Sequence, residues 1–156
     1  MNEIQAPNKL SEAKNTLIFL AGSIEMGTAE KWQEKVINDC IDAPVTFLNP
    51  RRDDWDSTWN QSFNDSNFNQ QVNWELNAME KSDLIVMYFD PNSKSPITLL
   101  ELGLHARSGK LIVCCPDGFW RKGNVDIVCE KYGVKMVPSL DELIFYINSN
   151  YIGYDF

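Results

Sequence analysis

Histidine is almost missing from this chain: among 156 residues His105 is the only one. A metal centre built on several imidazoles is therefore excluded. Cysteine is sparse too. Cys40, Cys114, Cys115 and Cys129 form no Cys-x-x-Cys pair, and neighbours such as Cys114 and Cys115 point to opposite faces if they share a strand. They read as buried, reduced thiols rather than a disulfide framework or a metal cage. Neither a metal nor a cofactor is expected.

Basic residues are in short supply, with 14 Lys and Arg against 22 Asp and Glu, a net charge of −8. Such a surface repels a polyphosphate backbone, so a small or neutral ligand is expected and a nucleic acid is not. Long apolar runs are absent as well. No segment approaches the roughly 18 apolar residues that a membrane span requires, so no membrane partner is expected. The opening MNEIQAPNKLSEAKN has neither the basic region nor the apolar region of a secretory signal, which points to the cytoplasm. Residues 1–15 read as a polar lead-in.

What is present is a good core. Apolar residues make up 44% of the chain and aromatics 12%, enough for one packed domain of this length. Short β-branched or aromatic runs alternate with helix-length amphipathic stretches, which is the pattern of a parallel sheet covered on both faces. The strands expected are 16–21, 45–48, 84–88, 111–115 and 134–137. Helices are expected near 29–41, 68–81, 97–108, 125–132 and 139–148. Five strands with right-handed crossovers favour a single α/β domain over 16–150 with a flavodoxin-like strand order. An aromatic tail, 151–156, follows and is expected to dock. The stretch from Asn49 to Asn67 has no clean period, but Trp55, Trp59 and Phe63 recur at spacing four, which predicts a short helix or an ordered lid.

Open α/β sheets bind ligands beyond the carboxyl ends of their strands, so the chemistry is sought in the loops there. Gly22 and Ser23 follow the first strand. Asn49, Arg51, Asp54 and Trp55 follow the second. Asp90 and Ser95 follow the third, and Asn124 comes after the fourth. Trp74, like Trp55, offers a face on which a base can stack. All ten are candidates for substrate contacts.

SPITLLELGLHA, residues 95–106, carries the sharpest signal. Ser95 reads as an N-cap and Pro96 as the first helical residue, which puts Glu101 in the second turn. At about 100° per residue Thr98, Glu101 and His105 share one polar stripe between leucines. Such a stripe faces either solvent or a cleft, and the pattern alone leaves both open.

The motifs FLAGSIEMG, NPRRDDW, WE followed by SDLIVMYFDP, SPITLLELGLHARSGK, CCPDGFWRKGN and YGV together resemble the nucleoside 2-deoxyribosyltransferase family from about Leu17 to Val137. The resemblance implies that Glu101 is a catalytic nucleophile and that Glu75 is an acidic partner contacting the nucleoside. It implies that Asn124 reaches the site of a neighbouring subunit, and hence a homo-oligomer. Many members carry an aspartate where this chain has Ser95, and Asp90 is the nearby substitute. Nucleotide-hydrolysing cousins place an arginine beside the glycine-serine turn, whereas Glu25 stands here and disfavours a substrate phosphate.

The implied reaction moves 2-deoxyribose between nucleobases. A carboxylate suits it because the glycosidic carbon turns cation-like as the base leaves, and collapse onto the anion then gives a covalent ester. Nucleosides and nucleobases are the implied partners. An N-glycoside hydrolase and a non-catalytic nucleoside-binding module are the alternatives.

Overall fold

The computed structural model describes residues 2–24 and 30–152, so Glu25 and the end of the aromatic tail lie outside the described residues. The strands are β1 (Asn2–Gln5), β2 (Thr16–Gly22), β3 (Val45–Asn49), β4 (Leu84–Tyr88), β5 (Leu111–Cys114) and β6 (Lys135–Val137). The helices are α1 (Trp32–Asp39), α2 (Ser66–Lys81), α3 (Pro96–His105), α4 (Lys122–Tyr132) and α5 (Leu140–Tyr151).

All strand pairs are parallel, in the order β1-β3-β2-β4-β5-β6. The sheet thus has six strands rather than the expected five. The five anticipated strands keep the doubly wound order, and β1 adds a new edge, so the flavodoxin-like description holds only roughly. β1 lies inside the supposed lead-in. It pairs from Asn2 opposite Thr46 to Gln5 opposite Asn49, and Ile4 and Ala6 enter the core.

Strand alternation divides that core in two. Phe19, Ala21, Ile85 and Met87 point toward α2, α3 and α4, where Trp74, Met79, Leu102 and Val125 meet them. Ile18, Leu20, Val86 and Ile112 point the other way, onto Trp32 and Val36 of α1 and Leu143 and Ile147 of α5. Cys114 and Cys115 fall into opposite halves, and all four cysteines are buried thiols. Tyr151 and Ile152 pack against the second half.

Two segments depart from expectation. The first helix begins at Trp32, and its expected opening residue, Ala29, is outside the described residues. Residues 50–65 form turns, not a helix. Trp55 and Trp59 meet edge to face at 5.0 Å, while Phe63 is left exposed. No helix among the described residues is long and apolar enough to cross a membrane.

Candidate active site

The crossover direction reverses between β2 and β4, the place where doubly wound sheets open a crevice. A cavity of about 500 Å³ lies there, lined by β2, the loop after β3, α2 and α3. Gly22 closes β2 at φ 153°, and a Cβ on it would collide with the Tyr88 carbonyl and sit 2.7 Å from the Trp32 ring. Only glycine fits. Ser23 follows as a buried hub. Its Oγ accepts from the Asp90 amide at 3.0 Å and from Ser93 Oγ at 2.8 Å, and it also bonds Ser95 Oγ.

α2 supplies one wall because both of its ends are satisfied. Asp65 caps the start by accepting from the amides of Asn67 and Phe68 at 3.0 Å. At the far end Lys110 Nζ donates to the carbonyls of Met79, Glu80 and Ser82 at 2.6–3.0 Å. Held this way, α2 presents Gln71 and Glu75 to the cavity. Gln71 Nε2 donates to Glu75 Oε1 at 2.7 Å and to the Pro50 carbonyl at 2.8 Å.

α3 supplies the opposite wall. Pro96 does open it, but Ser95 sits in the left-handed region at φ 47° and its side chain caps nothing. Ser95 thus holds the expected N-cap position, but without a capping side-chain bond, because its hydroxyl is taken up by Ser23 and Ser93. The polar stripe faces inward. Thr98 and Glu101 are buried and line the cavity, while Ile97, Leu100 and Leu104 are 56–59% exposed. The solvent reading of the stripe thus fails for Thr98 and Glu101. His105 is half-buried and does not line the cavity.

Among the described residues, Glu75 and Glu101 are the only carboxylates lining the cavity. Burial pushes the Glu75 carboxyl up to about 7, against the opposing hydrogen bond from Gln71. Burial likewise pushes Glu101 well above the ordinary carboxylate range, and the Glu75 charge adds to it. Two acids in one desolvated cavity resist ionising together, so the protonation of one is coupled to that of the other. No cluster of side chains suited to a metal ion occurs among the described residues.

The family described as "nucleoside 2-deoxyribosyltransferase like" matches residues 15–119, more than half of the chain. The chain belongs to this family. No curated protein matches it. A solved structure, a conserved protein from Enterococcus faecalis V583, aligns with a TM-score of 0.59 at 14% identity, covering 86% of this chain and 98% of the other. At that identity the likeness concerns the fold alone.

For this nucleoside 2-deoxyribosyltransferase-like chain, several anticipated residues converge on the cavity: Gly22, Ser23, Arg51, Trp55, Glu75, Ser95 and Glu101. Others do not. Trp74 is a core residue, 6.5 Å from Phe19 between ring centroids, with its indole N–H on the Asn8 carbonyl. Asn49 is spent on structure, donating to Glu3 Oε1 and accepting from the Arg51 amide. Asp54 is exposed and grips Arg52 through two 2.8 Å bonds. Asp90 is buried without lining the cavity, and its carboxylate accepts from the Asn92 amide. Asn124 begins α4, exposed beside a small hollow on the other side of α3 and past the end of the family match.

Polar lining residues not named as candidates for substrate contact are Arg52, Gln61, Gln71 and Thr98, of which only Thr98 belongs to the polar stripe read from the sequence. Gln71 stands one helical turn before Glu75 and Thr98 three residues before Glu101, and those offsets are the signal that finds them.

Proposed function

We propose that this protein is a glycosyltransferase that moves 2-deoxyribose between nucleobases through a covalent ester on Glu101, with retention of configuration. The observation that carries the reading is the pairing of Glu75 and Glu101 as the cavity's carboxylates. The two carboxyls share one proton. With it on Glu75, the Glu101 carboxylate attacks the anomeric carbon, the carbon–nitrogen bond breaks, and its electron pair leaves with the base. Glu75 supplies a proton to a ring nitrogen, since a nucleobase is a poor leaving anion. A second base then attacks the ester from the vacated face and returns a proton to Glu75. The chemistry needs no cofactor.

A nucleoside suits the cavity better than its monophosphate. Both arginines lining the cavity are engaged, Arg51 Nη1 on the Glu30 carbonyl at 3.1 Å and Arg52 on Asp54. Trp55 on the rim is the remaining candidate for stacking a base. Self-association belongs to the same reading, because the exposed leucine face of α3 borders the open cavity and buries well only against another surface.

Incubating the protein with thymidine and adenine and chromatographing the products tests the proposal. Deoxyadenosine and thymine are expected. Free deoxyribose as the sole sugar product makes it a hydrolase, and no reaction with any common deoxynucleoside favours a binding module.

A further inference from the structure

We propose that Gln71 is a positioning residue that decides which oxygen of Glu75 carries the proton handed to the nucleobase. The inference deepens the transferase reading and rests on it. Gln71 is 4% exposed and touches three groups that leave its amide a single orientation. The Pro50 carbonyl, 2.8 Å away, can only accept, so it must face the amide nitrogen. Arg52 Nη1, at 3.5 Å, can only donate, so it must face the amide oxygen. A flipped amide sets oxygen against oxygen and donor against donor.

The consequence falls on Glu75. With one N–H of Gln71 committed to Pro50, the other is delivered to Glu75 Oε1 at 2.7 Å. An oxygen that receives an N–H serves as an acceptor. A proton on Glu75 therefore resides on Oε2, the oxygen that Gln71 leaves free to meet a substrate. Arg52 is held in turn by the bidentate grip of Asp54, so a chain from Asp54 through Arg52 and Gln71 to Glu75 sets the direction of proton delivery.

The charged and titratable groups around Glu75 are few. Glu101 faces it from α3, and Arg51 and Arg52 line the cavity from the loop after β3. β2 contributes Phe19, Ala21 and Gly22, none of which titrates. Donation by Gln71 stabilises the Glu75 carboxylate, so removing it makes the proton harder to release.

The test compares wild type with Gln71→Met, which keeps the length and discards both donors. The Glu75 titration is read by carbon NMR on glutamate labelled at the carboxyl, assigned against Glu75→Gln, and so needs no catalysis. The Glu75 midpoint is expected to move alkaline by about one pH unit. The alkaline limb of the kcat profile is expected to follow, with kcat down at least about tenfold and KM changed little. If Gln71→Met does not fold, Gln71→Asn decides: its amide is one methylene too short to reach both Pro50 and Glu75, and a smaller shift of the same sign is expected. An unmoved midpoint overturns the proposal whatever the activity. A moved midpoint with kcat unchanged also overturns it, because Gln71 then tunes Glu75 without directing a proton. Failure of wild type to transfer deoxyribose is a different result, and it removes the functional reading itself.

Discussion

The hydroxyls of Ser23 and Ser95, 72 residues apart in sequence, are hydrogen-bonded to each other. The bond ties the loop after β2 to the residue before α3, and so fixes the helix that carries Glu101 to the sheet. Ser95 makes this contact from a left-handed backbone, φ 47° and ψ 51°, which costs an L-residue roughly 1–2 kcal/mol. Ser95→Ala and Ser95→Gly lose the same hydroxyl but differ in that strain. Glycine is expected to be the more stable of the two by about 1 kcal/mol in urea denaturation, with both below wild type. Equal stability of the two variants would show that the backbone is not strained there.

The Glu75 carboxyl, raised from an ordinary 4.5 to about 7, makes stability depend on pH. Its folded-state pKa lies above its unfolded value, so the folded state holds the extra proton. The contribution is complete below about 4.5 and is lost as pH rises through about 7. Glutamine is neutral throughout and should not show that loss. The Tm of Glu75→Gln relative to wild type is therefore expected to rise by several degrees between pH 5 and pH 8, at roughly 2–4 °C per kcal/mol for a chain of this size. Taking the difference between the two proteins cancels the general repulsion of an acidic surface. A constant difference across that range sinks the assignment of a desolvated Glu75.

How much of this was legible in the sequence depends on what each residue packs against. Runs such as LIVMY and LIVCC are apolar on every residue because both faces of those strands are covered, and the run alone declares a buried parallel strand. NEIQ has no such run. Its strand exists because β3 offers a free edge, a fact about the partner rather than the segment. Trp74 looked like a stacking platform for the same reason, since its indole partner, the Asn8 carbonyl, follows β1. The spacing of Trp55 and Trp59 is set by a turn in which Asp56 accepts from the Thr58 amide and hydroxyl, with Arg52 stacked 4.9 Å over Trp59. The pattern of α3 gave the stripe but not its direction. An amphipathic helix normally buries its leucines, and α3 does so with Leu102 on the sheet, but it also buries Thr98 and Glu101 against the cavity and leaves Leu100 and Leu104 exposed.

That exposure bears on assembly. Ile97, Leu100 and Leu104 form an i, i+3, i+7 face beside Leu76 of α2, all exposed on one chain. Sedimentation at micromolar concentration is expected to show a dimer or larger species. Leu100→Glu places a charge in the middle of the face and is expected to shift the protein toward monomer while leaving its circular dichroism unchanged. A wild-type protein that is purely monomeric ends the case for an oligomer, and with it the role of Asn124 in a neighbour's site.

The decisive residue is Glu101, whose burial on the inner face of α3 is already unlike a surface glutamate. If it is the nucleophile, a covalent intermediate can be trapped. A 2-fluoro arabinosyl nucleoside carries an electron-withdrawing fluorine beside the reacting carbon, which disfavours a cation-like transition state and slows breakdown of the ester. Intact-mass analysis is expected to show one added fluorosugar per chain, and peptide mapping to place it on Glu101. Glu101→Gln keeps the size and hydrogen-bonding capacity but cannot form the ester by this route, so turnover is expected to fall by several orders of magnitude. Glu75→Gln removes only a proton donor and is expected to cost about 10²–10⁴-fold. Thermal melts of both variants separate lost chemistry from lost fold. Activity of Glu101→Gln within tenfold of wild type, or an adduct mapped to another residue, removes Glu101 from the mechanism.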